Sequence, residues 1–136
     1  MTAQEIKKAF DTFKKELNKE TGIKGGFTMN CRQIENRTAT WLISRAESYE
    51  ASIAEFEAWA KKSDKFISAE GARRVEYFKA EREQYGTKEN YIATMIDRMT
   101  GSKAFKKFCE TVGNVKFHKE VSEYDGVMFV YLRFNY

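Results

Sequence analysis

Proline is absent from this 136-residue chain, histidine occurs once and cysteine twice. Each shortage closes off a kind of chemistry. With His118 alone there is no second imidazole to build or replace a nucleophilic triad, and no serine or cysteine stands in a nucleophile-elbow context. One histidine and two cysteines cannot supply the four ligands of a structural zinc site. Cys31 and Cys109 lie far apart with no paired spacing, so they read as reduced thiols of a cytoplasmic protein. No apolar run approaches the ~20 residues that span a bilayer. The opening "MTAQEIKKAF" lacks the charged head and apolar segment of a secretory signal, so no membrane role is expected. No cofactor motif is present either. "KGG" at 24–26 has adjacent glycines and no following Gly-Lys-Ser/Thr, unlike a phosphate loop, and reads as a turn.

What is there points to a folded chain. Apolar residues make up 42% and aromatics 15%, enough for a core without metal or disulfide support. One domain over 1–136 is expected. Basic and acidic side chains number 24 and 20, for a net charge of +4. They are interleaved without a run of one sign, so there is no basic arm of the kind that binds nucleic acid non-specifically.

With no proline, glycine does the punctuating. Thr2 with Glu5 forms a capping box for a helix to Glu20, striped by Ile6, Phe10, Phe13 and Leu17 and stopped at Gly22. Residues 26–31 alternate Phe27, Met29 and Cys31 against Thr28 and Asn30, a strand pattern. Leu42, Ala46, Tyr49, Ile53, Phe56 and Ala60 recur at alternating steps of four and three, which predicts a long central helix over 33–61, flanked by Trp41 and Trp59 as core residues. Such a stripe also suits a homodimer through that helix. Further helices are expected over 68–85, from Thr87 to Gly101, and from Ser102 to Gly113. Phe105, Phe108, Cys109 and Val112 stripe the last, making Cys109 a small core residue.

Asp125-Gly126 is the strongest hairpin signal. A two-residue turn there sets Phe117 opposite Phe134, Lys119 opposite Leu132 and Val121 opposite Val130, which makes one apolar face. A slip by one residue would destroy that match. The other face pairs Tyr124 with Val127, Ser122 with Phe129, Glu120 with Tyr131, His118 with Arg133 and Lys116 with Asn135. Two strands are marginal alone, so 26–31 is expected to add a third. The expected class is α+β: five helices with a long central one, and a small antiparallel sheet containing the C-terminal hairpin.

The candidate functional residues divide in two. Phe129, Tyr131 and Arg133, with His118 and Lys116, mix aromatic and basic groups on the second hairpin face; a helix could cover that face, and left open it suits a protein or ribonucleoprotein partner. Lys103, Lys106 and Lys107 lie on the polar side of the last helix. Two helices joined by "TGS" and followed by a hairpin have the order of a winged helix, so residues 87–136 form an alternative DNA-binding module. That helix offers no Arg, Asn or Gln to read base edges. Glu47, Glu50, Glu55 and Glu57 could in principle chelate Mg²⁺ or work as an acid/base pair, but a solvated helix face explains them better. Glu70, Glu76, Glu81 and Glu83 interleave with Arg73, Arg74, Lys79 and Arg82 at spacings that suit intrahelical pairs. The expected function is therefore non-catalytic: an inhibitor or adaptor that occupies a partner's surface, with nucleic acid possible and no metal or cofactor. The size, the lack of proline and the high charge resemble those of small proteins of phages and mobile elements, a likeness that no motif carries.

Overall fold

In the computed structural model, which describes residues 1–24 and 26–136, the side chain of Thr2 accepts the Glu5 amide at 3.2 Å and starts α1, Ala3–Thr21. The Ile6, Phe10, Phe13 and Leu17 stripe is buried, and Gly22 ends the helix in the left-handed region at φ 76°. The turn expected at 24–26 falls on Gly25, outside the described residues. Beyond it the order is β1 (Gly26–Thr28), α2 (Cys31–Glu35), β2 (Thr38–Arg45), α3 (Tyr49–Ala60), α4 (Lys65–Tyr85), α5 (Lys88–Thr100), α6 (Lys103–Val112), β3 (Lys116–Tyr124) and β4 (Val127–Asn135). Among the described residues this is an α+β protein of six helices and one antiparallel sheet, with strand order β1-β2-β4-β3. No helix of the described residues is long and apolar enough to cross a membrane.

The hairpin forms in the expected register, from Lys116 opposite Asn135 to Tyr124 opposite Val127. Asp125 and Gly126 take the positive φ values, 52° and 77°, that the tight turn needs. α4, α5 and α6 form close to their expected limits, and α1, α4, α5 and α6 all end on a glycine.

The long central helix does not form. Its span holds a short helix, a strand and a second helix. Arg37 at φ 53° and Ala46 at φ 67° bracket β2 with backbone that no continuous helix can contain. Between them Ala39, Trp41 and Ile43 are buried, while Thr38, Thr40 and Leu42 face the other way. A bulge between Leu42 and Ser44 shifts the register, so Ser44 is buried beside them. The strand is stable because it is central: it pairs with β4 from Thr38–Asn135 to Arg45–Phe129 and with β1 from Gly26–Leu42 to Thr28–Thr40. Residues 26–31 thus supply only a three-residue strand, and it pairs with β2 rather than with the hairpin. A homodimer through a 33–61 helix has no such helix to use.

Two cores follow. The larger packs α1, α5 and α6 against one face of the sheet, where Phe13 and Phe108 stack at 4.7 Å and Phe27 stacks on Trp41 at 5.0 Å. The Glu20 carboxylate accepts the Lys103 and Ala104 amides at 2.8 and 3.0 Å, which closes the start of α6 with a negative charge. Glu20→Ala should lower stability by about 1 kcal/mol in urea titration, with the loss traced to α6 by faster amide exchange at Lys103 and Ala104. The smaller core is Tyr49, Ile53, Phe56, Val75 and Phe78, between α3 and α4.

Candidate functional site

The helix layer covers one sheet face; the other gathers the aromatic and basic residues named above. Alternation along β4 sends Val130, Leu132 and Phe134 inward and Phe129, Tyr131 and Arg133 outward. Neither core includes those three. They are half-buried by their strand neighbours, while Lys116 and His118 on the adjacent β3 are exposed. β2 adds Thr40 and Leu42 to the same face, Leu42 being 38% exposed, and the Thr28 and Thr40 hydroxyls share a hydrogen bond at 2.9 Å. The Leu42 contribution is hidden in the sequence because Leu42, Ala46 and Tyr49 fall on a helical spacing.

Glu120 organises the charges of this face. It stands 2.9 Å from His118 Nε2, and its other oxygen lies 3.2 Å from Arg133 Nε. That nitrogen is not aimed at the carboxylate and keeps no hydrogen-bond partner, so the contact is an ion pair and not a directed bond. At the far end of the face, Arg45 carries its guanidinium 5.3 Å from the Phe129 ring and pairs with Glu55 of α3. Phe129 and Tyr131 lie 6.5 Å apart, tilted by 35°. The result is a shallow platform: an aromatic pair, an aliphatic neighbour, and basic groups along one side with one carboxylate between two of them.

Lys103, Lys106 and Lys107 are exposed on α6, and Lys107 pairs with Glu16 of α1 at 3.1 Å. The hairpin that would serve as a wing is built into the four-stranded sheet. Glu55 and Glu50, weighed as ion ligands, pair instead with Arg45 and Arg82, and Glu70 takes both Arg73 and Arg74 within its helix. Among the described residues no three His, Cys, Asp or Glu side chains gather as a metal site requires. Cys109 is half-buried, and burial followed by the Glu110 charge pushes its thiol above the usual range.

No protein-family model matches the chain, and no curated protein or solved structure matches it.

Two further features were not visible in the sequence. One is a cleft of about 450 Å³ between the sheet and the helices α4 and α5, lined by Trp41, Tyr77, Glu81, Tyr85, Tyr91 and Arg98 among others. Tyr49 donates to Glu81 at 3.0 Å beside it, and burial reinforced by that carboxylate raises the Tyr49 and Tyr91 phenols above their ordinary value. The Tyr49 and Tyr91 hydroxyls remain donors at neutral pH. The other is Lys88, buried at 2% exposure. Its ammonium donates to the Arg45 carbonyl and the Ser52 hydroxyl, and stands 4.7 Å from the Phe78 ring centroid. Burial pulls it down to about 8, although Glu81 and Glu55 act in the opposite direction. As the first residue after the Thr87 cap it reads as a solvated lysine, because its surroundings come from β2 and α3, far away in the chain.

Proposed function

We propose that this protein is a non-catalytic binding protein, an inhibitor or adaptor, that docks the outer sheet face onto a protein or ribonucleoprotein partner. The observation that supports this reading is the platform of Phe129, Tyr131 and Leu42 beside Lys116, His118 and Arg133, which belongs to neither core. Aromatic and arginine side chains at the centre of a patch are the usual energetic anchors of protein interfaces. The same groups could stack and neutralise single-stranded RNA in a ribonucleoprotein. A second reading, duplex binding through the exposed Lys103, Lys106 and Lys107, rests on their common exposure on α6.

Affinity capture from a lysate of the source cells, with and without nuclease, tests both. The first reading expects a stoichiometric partner that survives nuclease. Tyr131→Ala should cut its recovery at least about tenfold while the melting temperature falls by no more than a few degrees. A large loss of stability would instead place the ring in the core. The second reading expects gel shifts of naked duplex that weaken steeply with salt and vanish when Lys103, Lys106 and Lys107 become glutamate.

A further inference from the structure

β3 is an edge strand of the sheet, so among the described residues one long edge has no partner. Its last residues also run past the helix layer. Lys119, Val121 and Glu123 point to the helix side, yet all three are exposed, Val121 at 46%; Tyr124 on the opposite face is 77% exposed. An edge of this kind is a template for another strand, and lysines on it ordinarily discourage random pairing. The question is which strand would turn those charges into attraction.

We propose that two copies of this chain pair through β3, antiparallel and centred on Val121, joining their two sheets into one. Opposed residues of an antiparallel pair share a face, so a two-fold axis that keeps both helix layers on the same side must set one residue directly opposite its own copy. Centring on Lys119 sets lysine against lysine. Centring on Glu120 sets glutamate against glutamate. Centring on His118 sets that ring against its copy and asks Lys116 to pair with a Glu120 already beside His118 and Arg133. Centring on Val121 brings the two valines together, sets Lys119 opposite the Glu123 of the other copy twice over, Ser122 opposite Glu120, and His118 opposite Tyr124. The exposed valines and tyrosines are covered, and each lysine of the pairing meets a carboxylate. The same register uses the part of the strand that overhangs the helices, so neither copy's helix layer obstructs the other.

Sedimentation velocity over a range of concentrations tests this. The wild-type chain should show a monomer–dimer equilibrium. Lys119→Glu and Glu123→Lys should each weaken it at least about tenfold, because two attractive pairs become repulsive, and the double reversal should restore it to within about threefold of wild type. Both positions are exposed, so thermal melts of the variants should match the wild type. Tyr131→Ala should leave the dimer intact, which separates this edge from the docking face. A wild-type chain that stays monomeric, single reversals without effect, or a double reversal that does not recover would each overturn the proposal.

Discussion

Replacing Gly71 with alanine is expected to cost about 3 kcal/mol or more of stability, although alanine is the better helix former by about 1 kcal/mol. Gly71 lies in α4 where that helix crosses α3, and it is buried. A Cβ built there would stand 2.5 Å from the Ala60 nitrogen, 2.7 Å from the Phe56 carbonyl oxygen and 2.7 Å from Trp59 Cβ. Two of these are backbone atoms, which cannot rotate away. The helices would have to separate, loosening Phe56 and Phe78, which stack at 5.7 Å across the same interface. Urea unfolding of Gly71→Ala measures the loss. A variant as stable as the wild type would mean that α3 and α4 do not approach this closely.

Raising the pH from 7.5 to 9.5 should stabilise the protein by about 2 kcal/mol relative to a Lys88→Met variant. In the folded chain the Lys88 ammonium loses its proton near pH 8, and in the unfolded chain near the ordinary value of about 10.5. Between those values the unfolded state holds more protons, so stability rises with pH; below pH 8 both states are charged and the cost of burying the charge is felt in full. The tyrosines with raised values begin to titrate in the unfolded chain at the top of the window, and the methionine variant carries the same contribution as a reference. Parallel stability curves for the two proteins would show that the Lys88 ammonium is not held in the setting described. At neutral pH the variant trades a buried charge for the loss of donors to the Arg45 carbonyl and Ser52, so its stability there is the less informative number.

These two residues also show where sequence reasoning stops. The hairpin was legible to the residue, because Asp125-Gly126 fixes the turn and only one register sets Phe117 opposite Phe134. The outer-face residues followed from that register. The glycine stops delimited four of the helices for the same reason: local chemistry decided local structure. β2 was not legible. Leu42, Ala46, Tyr49 and Ile53 fall by coincidence on a helical rhythm that runs across the bend at Ala46, whose amide bonds the Met128 carbonyl of the hairpin. The signal that could have found it is "TATWLIS", rich in threonine, isoleucine and tryptophan and alternating inward at Ala39, Trp41 and Ile43. Nothing local marks Gly71 or Lys88. What decides them is a helix crossing and a strand carbonyl that the chain brings near only after folding.

Stability tests the fold; the outer face tests the function. Hydroxyl-radical footprinting of the chain alone and bound to its captured partner addresses it directly. Binding should shield Phe129, Tyr131, Leu42 and His118 from oxidation and leave Phe66 and Tyr77, exposed at 89% and 55% on α4, as reactive as before. Shielding of Phe66 and Tyr77 with Tyr131 still open to oxidation would contradict the account.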